Sequence, residues 1–139
     1  MLEKIYSQLD KLKDFSLLAL RLILAYGFYE PAMMKLKDIS AIADWFESLG
    51  MPFPTLNAYL ATITETLGFV LLAVGLFTRI ISFPLIITMV VAIITVHASN
   101  GFAAGDNGYE IPLYYIIMLF TLMAFGSGKF SADNFLQKK

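Results

Sequence analysis

The sequence predicts an all-α, polytopic membrane protein. Its expected architecture is a bundle of four transmembrane helices, with a short amphipathic helix at the interface between helices one and two. Three observations predict it. Hydrophobic residues make up 58% of the 139 and charged residues 15%, with a mean hydropathy of +0.72. That leaves more apolar surface than a water-soluble chain of this length can bury in one core. Four apolar runs occur at about 15–34, 56–77, 80–98 and 110–125, each of a length suited to a bilayer's hydrocarbon core, the last being short. The connection Thr78-Arg79 is so brief that spans two and three must be antiparallel neighbours. The whole chain, residues 1–139, reads as a single membrane domain.

The first apolar run follows a segment that carries Lys4, Lys11 and Lys13 against Glu3, Asp10 and Asp14. A secretory signal would need a positive n-region there, and the apolar run continues past the small-residue triplet Ala25-Tyr26-Gly27. An uncleaved first span is expected. Within it, Arg21 comes about two turns in. Glu30 lies nine residues later, on the opposite face of a straight helix. Pro31 removes a backbone donor and clashes with the carbonyl of Gly27, so a kink there would turn Glu30 toward the bundle.

Between spans one and two, "LKDISAIADWFESLGMPFPT" places Ile39, Ile42, Phe46 and Leu49 at helical spacing. This reads as an interfacial amphipathic helix ended by Gly50 and the Pro52-Phe53-Pro54 turn, with Trp45 at headgroup level. In span two, Ala58, Ala61, Glu65, Gly68, Leu72 and Gly75 share one face. Small residues let helices approach closely, so this face should turn inward and carry Glu65 with it. A carboxylate at that depth calls for a compensating cation, and Arg21 is the candidate. Glu65 then reads as one half of a structural ion pair, or as a proton-handling group in a polar pocket.

Span three ends at His97, the chain's single histidine, and span four begins at Glu110. The joining stretch "VHASNGFAAGDNGYEIPLYY" is rich in turn residues, and Pro112 restarts the helix. Free amides and the positive dipole end at a helix start give Glu110 a structural role. Together, Glu30, His97 and Glu110 form a His-plus-carboxylate set that could hold a hard or borderline metal, or shuttle protons to a quinone-like ligand. The polar ligand pocket is the preferred reading, and no metal site is assigned. Tyr109, Tyr114 and Tyr115 suit an aromatic belt on that side.

Other function classes are excluded. With no cysteine, the chain has no disulfide, no CxxC redox centre and no thiolate metal site. One histidine makes bis-histidine haem ligation within the chain impossible. A net charge of −1 offers no basic surface to nucleic acid. Orientation follows from the cations. With both termini inside, Lys4, Lys11, Lys13, Arg79, Lys129, Lys138 and Lys139 lie on the cytoplasmic side against Lys35 and Lys37 outside. A bacterial inner membrane with cytoplasmic termini is therefore expected.

These pieces, in their order, resemble the DoxX family of small four-helix membrane proteins, from about Leu17 to Asp133. The resemblance is carried by "LRLIL" with Lys35-Leu36, by "WFESLGMPFP", "ETLGFVLLAVGLFTR" and "VHASNGF", and by "GYEIPL" and "GSGKFSAD". It implies four transmembrane helices, and Arg21, Glu65, His97, Asn100, Gly101 and Glu110 look like the family's recurrent polar and turn positions. Many relatives have His-Gly near the end of helix one, where this chain has Glu30-Pro31-Ala32. The "FYEP" and "GDNGYEIPLYY" wording is similar to a subgroup associated with making metal-binding peptides. The family's founding name is tied to a membrane thiosulfate:quinone oxidoreductase, and other relatives to oxidative-stress complexes.

The expectation is therefore a redox-associated membrane subunit with a polar pocket opening outward, quinone being the possible ligand and thiol or haem chemistry disfavoured. Arg21 and Glu65 would floor the pocket, with Glu30, His97 and Glu110 at its mouth. Its surroundings would be the lipid bilayer and other protein subunits or further copies of itself. One rival is a non-catalytic membrane anchor or partner of a soluble enzyme or of a metal-binding-peptide maturation system. Another is a small transporter or metal-handling protein, which four helices without an inverted repeat argue against.

Overall fold

The computed structural model describes residues 1–138; Lys139, counted above among the cytoplasmic cations, lies outside the described residues. The described chain is helical throughout its regular structure. Its elements are α1 (Leu2–Asp10), α2 (Lys13–Lys37), α3 (Ile39–Ser48), α4 (Pro54–Val74), α5 (Thr78–Ala92), α6 (Glu110–Phe125) and α7 (Ala132–Gln137). Three stretches are long and apolar enough to cross a membrane: Leu2–Lys37, Pro54–Val74 and Thr78–Asn100. The fourth, α6, has 16 residues and spans about 24 Å.

Local chemistry sets the boundaries. Asp38 leaves helical geometry and its carboxylate accepts from the Ala41 amide at 3.0 Å, which separates α3 from α2. Gly50, at φ +74°, ends α3, with Met51 N–H donating to Phe46 O and Gly50 N–H to Glu47 O. This 6→1 and 5→2 pair is a Schellman ending. Pro54 opens α4 at a position whose amide would have no helical partner.

The four long helices run alternately up and down. Helix α4 packs on α2 and α5, and α6 closes the ring against α5 and α2. Leu24, Phe28, Leu72, Leu85, Leu119 and Leu122 fill the centre. A second cluster joins Ala43 and Phe46 of α3 to Ala58 of α4, seating the amphipathic helix on the bundle. Outward faces carry exposed Leu22, Ile23, Ile63, Leu67, Ile80, Phe83, Ile117 and Phe120. Such a continuous apolar girdle is what lipid covers.

Two sequence expectations change here. The helix expected to run to residue 98 keeps α geometry only to Ala92, then widens into a π turn over Ile93–His97 and a 3₁₀ turn over Ala98–Asn100. Helix α2 continues through Pro31, and Glu30 stays exposed on its outer side, so the proline does not turn it toward the bundle.

Candidate functional site

At the end of the bundle opposite the chain termini, the helices enclose a cavity of about 770 Å³. That lies within the range of small-molecule sites. Helix α2 contributes Gly27, Phe28, Pro31 and Lys35, and α3 contributes Trp45 and Phe46. The opposite walls come from Leu60, Thr64 and Glu65 of α4, from Ile87, Thr88 and Val91 of α5, from His97 in the π turn, and from Pro112 and Tyr115 of α6.

The cavity's charged pair is Lys35–Glu65, with Nζ to Oε2 at 2.9 Å and both side chains largely buried. Geometry explains the pairing. Side chains lean toward the N-terminus of their own helix. In the antiparallel pair α2/α4, Lys35 therefore leans into the bundle and Glu65 leans out to meet it. Lysine has three donors, so two remain for a ligand.

The expected Arg21–Glu65 pair does not form. Arg21 is fully buried, but its guanidinium donates to Leu72 O at 3.1 Å, lies 3.5 Å from Ala73 O, and donates through Nη2 to Phe130 O. Leu72 is seven residues beyond Glu65, about 11 Å along the helix, and Arg21 sits at that level. It therefore cannot floor the cavity. Gly75, at φ +73°, provides its space: a Cβ there would fall against the guanidinium and Ser131.

His97 lines the cavity, held by a hydrogen bond of 2.8 Å between Nδ1 and the Asn107 carbonyl. A carbonyl only accepts, so Nδ1 carries the proton in this bond and Nε2 is the ring atom left to the cavity. The Asn100 amide donates to the same carbonyl at 3.1 Å. The loop is tied further by Tyr109 N–H to Gly101 O and Glu110 N–H to Phe102 O, both near 3 Å. Glu110 opens α6, is half-buried and does not line the cavity. Neither does Glu30. Of the five expected residues, the structure brings Glu65 and His97 to one cavity and leaves Arg21, Glu30 and Glu110 apart. No group of three or more His, Asp or Glu side chains placed to hold a metal occurs among the described residues.

Two cavity residues escaped the sequence reading. Lys35 lies one residue past the expected end of span one and counted there as a flanking cation. Tyr115, expected in an outward belt, turns inward: its ring packs edge-on against Phe28 at 5.3 Å, and its hydroxyl abuts Gly27. A side chain at Gly27 would collide with it. Thr88 and Thr95 spend their hydroxyl protons on the carbonyls of Pro84 and Val91, at 3.0 and 2.8 Å. The donors left to a ligand include the Lys35 ammonium and the Tyr115 hydroxyl, together with the Thr64 hydroxyl and the Trp45 indole N–H, and they suit a molecule bearing acceptor oxygens.

Fold and cavity define a class: a polytopic helical membrane protein with a mostly apolar cavity at one end of its bundle. A DoxX family profile matches residues 16–98, and the chain belongs to the DoxX family. It is 34% identical over 131 residues to a Haemophilus influenzae protein described as "Uncharacterized protein", covering 88% of this chain and 84% of that one. A second Haemophilus influenzae protein with the same description is 28% identical over 137 residues, covering 96% and 99%. A Bacillus subtilis protein named "Putative oxidoreductase CatD" is 29% identical over 132 residues, covering 94% and 93%. No solved structure matches the chain.

Proposed function

We propose that this DoxX protein is a redox-associated membrane subunit that holds a quinone-class ligand in the cavity at Lys35, Glu65, His97 and Tyr115. The observation that carries the reading is an ion pair with spare donors on the wall of a mostly apolar cavity at membrane depth. A quinone carbonyl accepts from the Lys35 ammonium and the Tyr115 hydroxyl, and Glu65 and His97 can exchange protons with the bound head. The chain has no cysteine and a single histidine, so electrons are assigned to a partner subunit. The relative named as an oxidoreductase supports the direction of the reading. We place the protein in a bacterial inner membrane with both termini cytoplasmic. Lys4, Lys11, Lys13, Arg79, Lys129 and Lys138 then face the cytoplasm, and the cavity end faces the periplasm.

The only tryptophan, Trp45, lines the cavity and reports on its occupancy. Reconstituted protein titrated with a short-chain ubiquinone should show saturable quenching of Trp45. Lys35→Met, Glu65→Gln and His97→Ala should each weaken that binding at least tenfold. Undiminished binding by all three variants would sink the proposal.

A second reading, a non-catalytic anchor or partner of a soluble enzyme or peptide-maturation system, rests on α1. Its Leu2, Ile5, Tyr6 and Leu9 are exposed and no residue of that helix is buried. A protein that co-purifies stoichiometrically with the wild type and is lost from a Leu2→Ser, Ile5→Ser, Leu9→Ser variant, quinone binding being intact, would mark that reading.

A further inference from the structure

The cavity does not close off against lipid. A residue that both lines a cavity and lies open to the outside marks a rim. Trp45 of α3 and Ile111 of α6, 46% and 44% exposed, mark it at the loop end of the bundle. Leu60 of α4 and Ile87 and Val91 of α5, 52%, 49% and 36% exposed, mark a second stretch of it between α4 and α5.

The two helices are joined by a short turn and held together near it. Gly68 meets Leu85 there so closely that a Cβ on the glycine would come within 2.7 Å of a leucine methyl. Beyond that contact both helices line the cavity. The cavity begins at Glu65 and Pro84 and extends to Asn57 and Val96. A smaller hollow of about 300 Å³ shares Met51, Asn57, Val91 and Thr95 with it and continues the gap toward the α3–α4 turn.

Depth decides what lies outside the gap. Ile87 and Val91 are nine and thirteen residues beyond Thr78, and Leu60 is fourteen before Val74. At 1.5 Å per residue the rim sits about 14–21 Å from the helix ends at the turn, inside a hydrocarbon layer about 30 Å thick. This stretch of the opening therefore faces acyl chains, and the exposed Leu60, Ile87 and Val91 that border it are apolar. The Lys35–Glu65 pair lies across the cavity from it, on α2 and the inner face of α4.

We infer that the cavity is entered sideways from the bilayer, through a portal between the outer halves of α4 and α5 bordered by Leu60, Ile87 and Val91. Its occupant is a single-chain amphiphile whose acceptor-bearing head reaches Lys35 while its apolar chain lies in the portal. The head-group chemistry rests on the quinone reading above; the portal does not. The π turn that follows Ala92 swells the far end of α5, and such turns occur frequently at functional sites.

Two measurements separate the portal from the ligand. In the first, Thr64→Trp in a Trp45→Phe background places a reporter on the cavity wall, and the protein is reconstituted in phosphatidylcholine brominated in mid-chain. Bromine quenching should be strong, and Leu60→Phe with Val91→Phe should reduce it at least twofold. An Ile80→Phe control, on an exposed part of α5 away from the cavity, should leave it unchanged. Quenching that is insensitive to the double substitution overturns the portal, whatever quinones do.

In the second, a decyl-chain ubiquinone and its chainless head are titrated against Trp45. The double variant should lose at least tenfold in affinity for the decyl compound and stay within twofold for the head alone. Equal losses for both, or no loss for either, overturn the portal. Absence of binding by both to the wild type, with bromine quenching that responds to the double variant, overturns the quinone reading and upholds the portal.

Discussion

The two ends of the bundle use polar residues in opposite ways. At the end carrying the termini, the named polar groups are spent mostly on backbone, although Arg21 Nε is buried without a hydrogen-bond partner and Asp133 also accepts from Ser127 Oγ. Arg21 donates to the carbonyls of Leu72 and Phe130, and Asp133 accepts from Phe77 N–H and Thr78 N–H at 2.8 and 3.2 Å, capping α5. Asp14 accepts from Lys129 N–H at 2.9 Å. Leu17, Leu24, Ile81 and Leu122 fill the space between. At the other end, Lys35 and Glu65 pair at 2.9 Å on the wall of a cavity, with donors left over. A buried charge that satisfies carbonyls is a fastener; a buried pair on a cavity wall has donors within reach of a ligand. Chemically similar residues at similar cost of burial thus serve different ends, and their neighbours decide which.

The largest effect should break the fastener. Arg21→Ala strands the carbonyls it serves and opens a void beneath Gly75. It should lower stability by about 3 kcal/mol or more, read as a fall in the thermal midpoint in detergent, with Arg21→Lys only partly rescuing because lysine lacks the planar fork. A wild-type midpoint in Arg21→Ala would show that the two ends do not differ as described.

A smaller effect belongs to the cavity. Removing one member of a buried pair leaves an uncompensated charge, whereas replacing both with apolar residues is often tolerated. Lys35→Met alone should cost about 1–3 kcal/mol. Combining it with Glu65→Leu should recover most of that stability and still abolish ligand quenching of Trp45. Thermal melts of the single and double variants, run with the titration, separate the pair's structural part from its binding part. Non-recovery in the double variant would make the pair a fastener like Arg21.

The smallest effect lies outside the spans, at Asp38. The Ala41 amide and then the Ser40 hydroxyl hold its carboxyl below the usual range. Because the folded value is below the unfolded one of about 3.9, the cap's contribution is complete above that pH and is lost as pH falls through the lower folded value. Acid titration of Trp45 fluorescence, a reporter on the helix that Asp38 caps, should show a small transition below about pH 4. Asp38→Asn should remove it.

How much was legible in the sequence differs between fold and site. Hydropathy and helical period pointed to the apolar helices, the inward face of α4 and the amphipathic α3, because these depend on neighbours along one helix. Glu65 and His97 stood out because ionisable groups in an apolar run have few places to go. The partner of Glu65 did not, since it depends on the register between two helices. Arg21 and Lys35 are fourteen residues apart on α2, about 21 Å, and nothing along the chain says which lies opposite Glu65. Pro31 suggested a kink that would recruit Glu30, yet packing of α2 against α4 and α6 kept Glu30 outside.

By itself, then, the sequence determined the solvent of this protein, its helical class, the turn at Gly50, and the rarity of its ionisable groups. Those follow from local composition and from backbone hydrogen bonds that lipid cannot supply. Only the tertiary structure decided that Lys35 rather than Arg21 meets Glu65, that Tyr115 turns inward against Gly27, and that α4 and α5 both line the cavity beyond Gly68. Each of these is set by the axial offset and separation of neighbouring helices, which side-chain packing across the bundle fixes and no single helix encodes.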